Sequence, residues 1–442
     1  YRFDMGPSVF TEPHLVEELL SINSDESPEF DFIKLPASCC YFFEDGSKIT
    51  MPSGRKRVAE VFVNQLGEEK RASLAYLDMI EKNYEALYPV FISSSLHRLG
   101  QWMNKGIFRA LFRMPKYGLF KTMNNVNKSY FKNEKTVQIL NRFATYNGSN
   151  PYRTPGLLNI IAHLELNIGP YIPKGGMVAI TNSVYKKACS MGVEFHFNQK
   201  VDEIFFEAEE PSGVLVNGVK KYSDIIVSNM DIHHTYERLM PGVEGPKKIL
   251  KQEKSTSAVV FYWGIKKNFP QLDVHNIFFS QEYEQEFDHL FEKKDISRDP
   301  TVYIHISSKV ESLDAPKDGE NWFVMVNAPI NEGQDWNELR ARTRANVLLK
   351  LNKILGVSIE DLIEEEDYTD PVLMESNYSG KQGSIYGNSS NSRMAAFYRH
   401  PNFSSKLKGL YFAGVTVHPG GGIPLALNSA KIIERCVRED YK

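Results

Sequence analysis

The stretch Leu410–Arg435, LYFAGVTVHPGGGIPLALNSAKIIER, holds the densest chemistry in the chain. An apolar strand over Leu410–Val415 runs into a loop containing Gly414, Pro419, Gly420, Gly421 and Gly422, and Pro424 opens a helix reaching about Val437. Three consecutive glycines let backbone N–H groups approach a ligand with no side chain in the way. A helix start adds unpaired N–H donors and a partial positive charge, which suits an anion or the electron-rich edge of a ring. Proline fits a first helical turn, where its missing N–H has no bond to make. A tight turn between a strand and a packed helix would use the same residues without a ligand, so the glycines alone leave both readings open.

Other candidate chemistry is sparse. His233–His234 follows a strand and reads as a loop pair or as a general base. His418 lies in the glycine loop, either as a base or as a group hydrogen-bonded into the turn. The chain has no nucleophile elbow, no HExxH and no clustered Cys/His set, so no catalytic residue and no metal site is assigned. Cys39 and Cys40 are adjacent while Cys189 and Cys436 stand alone, which excludes a disulfide framework and predicts a reducing compartment.

The elements that must position this loop form an α/β mixture. Residues 12–20 and 54–90 carry helical spacing, and GPYIPKGGM leads into a helix over Val178–Met191. Strands follow at Val193–Phe197, Val201–Glu207, Gly213–Val216 and Ile225–Ser228, with hairpin turns near Gly213 and Asn217–Gly218. A second block has strands at Ala258–Ile265, Val302–Ser307 and Trp322–Ala328, then a helix over Trp336–Leu355. The acidic run Glu360–Asp367 reads as a solvated connection. With 442 residues, 42% of them hydrophobic, the chain is long enough for two or three domains and an internal cavity. A net charge of -3 excludes a basic nucleic-acid coat, and 24% charged residues exclude a disordered acidic chain, so no nucleic-acid partner is expected. Apolar runs such as Ser257–Ile265 fall far short of the ~20 residues that cross a bilayer.

HPGGGIP and the small-residue helix after it resemble the C-terminal FAD-binding segment of the carotenoid desaturases, the phytoene desaturase family. YRFDMGPSVF at residues 1–10, residues 171–204 and IVSNMDIHHTYERLMP at 226–241 are similar to further segments of that family. The resemblance implies FAD as cofactor, with Gly414, Pro419, Gly421, Gly422, Ile423 and Pro424 beside the isoalloxazine ring. It implies further contacts from Gly6, Pro7 and Ser8, from Val201 at the adenine end, and from Ser228 and Asn229 at a strand end. The implied fold is α/β: a discontinuous Rossmann-like FAD-binding domain, incomplete at its N-terminal side, with an α+β substrate domain and a helical membrane-facing region. Residues 1–20, 171–240 and 405–442 would form the first, and 21–170 and 241–404 the second. The chain contains no G-x-G-x-x-G, the turn that holds the FAD pyrophosphate in this family. Truncation ahead of Tyr1 is the expectation, and a natural form lacking that unit is the alternative.

The implied reaction turns a C–C bond of a long polyene into C=C. No side chain accepts a hydride, so a flavin must. Within the family, GSIYG and RHPNFS in residues 380–424 look closest to desaturases acting at the 3,4 position of hydroxylated carotenoids. A phytoene desaturase, a redox-neutral carotenoid isomerase of the same fold and a non-catalytic carotenoid carrier are the alternatives. Residues 86–133 contain eight Lys or Arg and no Asp or Glu, interleaved with Phe91, Leu96, Trp102, Phe108 and Phe112. Such a stretch suits a membrane surface, or else a helical domain whose apolar face is core. A forty-carbon polyene exposes roughly 800 Å² of apolar surface, so carrying it through water costs on the order of 20 kcal/mol. The expectation is therefore a cytoplasmic protein, peripheral on the membrane, that takes an apolar carotenoid from lipid and passes electrons to oxygen or a quinone.

Overall fold

The computed structural model describes residues 1–23, 29–98, 117–395 and 397–442. Its centre is a seven-stranded sheet built from β2 (Ala37–Phe42), β3 (Lys48–Pro52), β9 (Ser257–Ile265), β10 (His275–Phe278), β11 (Val302–His305), β12 (Glu320–Ala328) and β13 (Ile363–Thr369). The strand order is β13-β9-β12-β11-β10-β2-β3. Every junction is antiparallel except β10 with β2, which is parallel and sets Asn276 beside Cys40.

Period-two alternation splits this sheet into two buried faces. One face presents Phe278, Val302, Ile304, Trp322, Val324, Val259, Phe261 and Trp263, packed on Val347, Leu348 and Leu351 of the helix Trp336–Leu355. The opposite face carries Tyr41, Ile277 and Tyr303 towards the helices Arg55–Asn64 and Lys70–Leu87, and Val260, Tyr262 and Phe323 towards Phe3.

The glycine loop belongs to a smaller assembly. A two-stranded parallel sheet pairs β8 (Ile226–Ser228) with β14 (Leu410–Phe412). Beside it lies an antiparallel sheet of β5 (Val201–Glu207), β6 (Glu210–Val216) and β7 (Val219–Tyr222). A third pair joins β1 (Phe32–Lys34) to β4 (Tyr171–Pro173). One apolar cluster gathers Phe10, Val16, Leu20 and Phe30 with Tyr171, Met177, Ile180, Ile423 and Leu427, so three distant stretches of chain meet at the start of the helix Ile423–Asp440.

Three sequence expectations change. Val193–Phe197 is no strand, because no neighbouring strand pairs with it among the described residues; Phe195 instead packs on Tyr185 at 4.6 Å and stacks on Phe197. The acidic run is no bare connection. It forms β13 at the sheet edge, where Glu364, Glu365 and Glu366 stay solvated while β13 pairs with β9. Gly213 lies inside β6, where a side chain would strike the Lys221 carbonyl; the turn before β6 is Ala208–Glu209, with φ of 49° and 66°.

Among the described residues no helix is long and apolar enough to cross a membrane, and no cluster of His, Cys, Asp and Glu could hold a metal ion. Of the basic stretch 86–133, residues 99–116 lie outside the described residues. Around them, Val90 and Leu96 form a small core with Phe91 and Phe397, and Arg98 pairs with Glu439 at 2.9 Å and Asp440 at 2.6 Å. These flanking residues therefore face the protein itself.

Candidate active site

Strand β14 is buried throughout and delivers the chain to the loop. The Ala413 N–H donates to the Ser228 carbonyl at 2.9 Å, which locks the end of β8 against the start of the loop. Gly414 follows at φ 104°, and a Cβ there would lie 2.8 Å from Asn229 Nδ2. Ser228 and Asn229 are thus brought to Gly414, as expected from a strand end beside the site. Val201 opens β5 and packs on the cluster that holds Ile226, Leu410 and Phe412, which ties the predicted adenine-end residue to the same small sheet.

The three glycines have different neighbours. A Cβ on Gly420 would lie 3.2 Å from the Arg399 guanidinium, and one on Gly421 would lie 2.4 Å from Tyr386 Cδ1. Gly422, at φ 107°, would meet nothing within 4 Å. Gly422 is also the N-cap of Ile423–Asp440, with no side chain capping it and Pro424 in the first turn. The first intrahelical bond runs from Ala426 N–H to Gly422, so the amides of Ile423 and Leu425 lie ahead of it with no carbonyl one turn back. Gly6 likewise faces open space, while Ser8 two residues on is buried. An open glycine at an uncapped helix start leaves the space and the unpaired N–H donors that a flavin ring edge needs, so these residues fit FAD.

A buried polar frame holds the loop in place. Arg399 is 5% exposed and donates to the carbonyls of Tyr386 at 3.3 Å, Asn388 at 3.2 Å and Val415 at 3.1 Å. Burial draws its pKa down to about 10, and no carboxylate pairs with it among the described residues. Asn402 Nδ2 donates to the His418 carbonyl at 2.7 Å and to Ser429 Oγ at 3.0 Å. His400 donates from Nδ1 to the Pro401 carbonyl and accepts the Tyr236 hydroxyl at Nε2. Tyr386, Arg399, His400 and Asn402 all fall in the GSIYG and RHPNFS segments, yet sequence reasoning singled out none of them. Their signal was the segments' closeness to the glycine loop along the chain.

His418 is part of this frame. Its Nε2 donates to the Ser94 carbonyl at 2.8 Å, and burial lowers its pKa to about 3. It is hydrogen-bonded, though to the distant 93–95 segment rather than into the turn as expected. His233 and His234 occupy the short helix Ile232–His234, capped by Asp231, so they are not a loop pair. His233 is held between Glu237 at 3.1 Å and the Leu250 carbonyl at 2.9 Å. No hydrogen bond links either to the glycine loop.

A second polar chain was not legible in the sequence. Ser8 Oγ lies 2.9 Å from the Tyr303 hydroxyl, which lies 2.8 Å from His275 Nδ1. The His275 ring stacks on His305 with centroids 5.1 Å apart.

The chain matches the family of flavin containing amine oxidoreductases over residues 1–433. It is 44% identical over 433 residues to a 1-hydroxycarotenoid 3,4-desaturase of a Flavobacterium species, covering 98% of this chain and 88% of that protein. It is 26% identical over 470 residues to a phytoene desaturase of Fusarium fujikuroi, covering 100% of this chain and 81% of that protein. Among solved structures, a putrescine oxidase superposes with a TM-score of 0.62 at 11% identity, covering 99% of this chain and 88% of that one. That likeness shows a mixed α/β fold of the flavin amine oxidase type. The chain belongs to the flavin-containing amine oxidoreductase family, within its carotenoid desaturases, whose cofactor is FAD.

Proposed function

We propose that this protein is an FAD-dependent desaturase that forms the 3,4 double bond of a hydroxylated acyclic carotenoid. The observation that carries the reading is the 44% identity, spread over 98% of the chain, to a protein with that activity. When bound, the flavin supplies the two-electron acceptor that no side chain can provide. The chain's own residues orient and shield. Gly422 and the uncapped helix start receive the ring edge; Gly6, Pro7 and Ser8 approach it from the N-terminal loop; Val201, Ser228 and Asn229 line the way to the adenine end. No side chain of the glycine loop is free to move a proton, since His418 is neutral and tied to a carbonyl. In the same reading, residues 1–20, 171–240 and 405–442 make the cofactor half and the remainder the substrate half. The basic stretch 86–133 meets the membrane surface through exposed cations such as Lys121 and Lys128, and oxygen or a quinone takes the electrons.

The test is turnover of a 1-hydroxy acyclic carotenoid by the purified protein supplied with FAD, followed by chromatography and mass. Loss of two hydrogens at C3–C4 is the expected result. A product of unchanged mass would identify an isomerase, and binding without conversion a carrier. Cosedimentation with anionic vesicles checks the membrane part, with release expected on reversing Lys121 and Lys128 together.

A further inference from the structure

The substrate proposed above is apolar except for one hydroxyl, and the sheet face beside the N-terminal loop buries one polar chain whose last atom has no partner. His275 and His305 sit opposite each other on β10 and β11, on the face that also carries Tyr303. Both imidazoles are 3% exposed, and Nε2 of each lacks a hydrogen-bond partner. Burial keeps them neutral: His305 is drawn down to about 4, and His275 lies well below the usual range. The cation of Arg142 is neutralised by Glu165 at 2.7 Å, so it leaves no net charge for a ligand to balance. An imidazole nitrogen left unpaired in an apolar interior is costly, and a fold that keeps one there has a use for it.

The protons along Ser8–Tyr303–His275 can be arranged in two ways. Tyr303 donates to Ser8 and accepts from His275 Nδ1–H, leaving a lone pair at His275 Nε2. Alternatively, Ser8 donates to Tyr303 and Tyr303 to Nδ1, leaving an N–H at Nε2. A neutral alcohol both donates and accepts, so it satisfies either arrangement. A hydrocarbon carotenoid satisfies neither.

Position supports the same ligand. In a 1-hydroxy end group the oxygen and C3 are three bonds apart, roughly 3–4 Å at ordinary bond lengths. Whatever reads the hydroxyl must therefore lie beside the bond being oxidised, and so beside the flavin. Ser8 belongs to the loop that continues into Phe10, whose cluster includes Ile423 and Leu427 at the start of the helix after the glycine loop.

We propose that His275 Nε2 binds the tertiary hydroxyl of the carotenoid, with Tyr303 and Ser8 as positioning residues that set its tautomer and His305 holding its ring plane. This rests on the reading that the substrate is hydroxylated. It makes the polar chain the element that separates hydroxylated from hydrocarbon substrates.

The experiment measures kcat/KM, and equilibrium binding from the shift of the carotenoid's visible absorption. Both use the FAD-supplied full chain with a 1-hydroxy carotenoid and its deoxy counterpart. In His275→Phe the hydroxy-to-deoxy ratio should fall roughly 30-fold, and in Tyr303→Phe roughly fivefold. His275→Gln should recover part of the ratio, because an amide also donates and accepts. General structural damage lowers both substrates together. A ratio unchanged from wild type in Tyr303→Phe and in whichever His275 variant folds overturns the inference and leaves the substrate reading intact. A wild-type ratio near one overturns both.

Discussion

All nine residues of β9 are buried, whereas the thirteen-residue helix Val178–Ser190 has no buried residue at all. The first lies in the seven-stranded sheet, both faces of which are packed on helices of the same chain. The second belongs to the smaller assembly, where Tyr185, Val193, Phe195 and Phe197 are exposed together and, among the described residues, β8 and β14 form a parallel sheet of two strands. Parallel pairs are stable when covered on both faces, and two strands are fewer than a free-standing sheet needs. The large sheet is thus covered by its own chain, while the smaller assembly keeps an apolar cluster in solvent and holds its glycine loop by the buried polar frame around Arg399 and Asn402.

Acid should have the largest effect, in the large sheet and in the frame of the glycine loop alike. His275, His305, His400 and His418 all have folded pKa values depressed by burial, the last three to about 4, 4 and 3. A depressed imidazole favours the neutral folded state, so the unfolded chain binds more protons below about 6.5. Stability present above that pH is lost as pH falls towards 4, by about 1.4 kcal/mol per pH unit for each group. Glu286 opposes this, because burial raises it to about 7 and its proton is held in the folded state. His97, His163 and His234 are lowered as well, and Asp4 and Glu12 raised, so seven imidazoles stand against three carboxyls and denaturant titrations should show a net loss of several kcal/mol between pH 6.5 and 4.5. A flat profile would mean these groups are hydrated.

Trp322→Ala should follow. The side chain is fully buried between β9 and the Trp336–Leu355 helix, and the cavity should cost about 3–5 kcal/mol by urea titration. Gly421→Ala addresses the frame instead. The new methyl would lie 2.4 Å from Tyr386, so FAD affinity by fluorescence titration should drop about tenfold, or about 1.4 kcal/mol. Adding Tyr386→Ala should restore part of it. The smallest effect belongs to Phe197→Ala. At 66% exposure its loss should change stability by less than about 0.5 kcal/mol. A cost close to that of Trp322→Ala would erase the contrast between the large sheet and the smaller assembly.

How much of this was legible depends on where each element finds its partners. The strands in 257–265 and 320–328 and the helix Trp336–Leu355 were readable because their own composition dictates burial and period. The glycine loop was readable because glycine and proline speak for the backbone directly. Val193–Phe197 has the composition of a strand, but pairing is a property of two segments and no second one is present among the described residues. The acidic run misled for a related reason: an edge strand accepts charges that a central strand would reject. His275 and Tyr303 are each unremarkable in the sequence and Ser8 was readable only as a cofactor contact; the β10–β11 register and the N-terminal loop bring the three together.

The single parallel junction of the seven-stranded sheet, β10 with β2, has a consequence for how the chain is made. The hairpin β2–β3, which includes Cys39, Tyr41 and Phe42, emerges from the ribosome more than two hundred residues before its partner at Asn276–Phe278. At roughly 5–20 residues per second, that apolar edge waits about 10–50 s for β10 to arrive. Its early neighbours, the helices Arg55–Asn64 and Lys70–Leu87, can cover one face meanwhile, but the β2 edge and the face bearing Cys40 and Phe42 stay open. Synthesis at speed therefore exposes this molecule to aggregation through its first hairpin, and slower translation or a chaperone that shields β2 should raise the yield of folded protein.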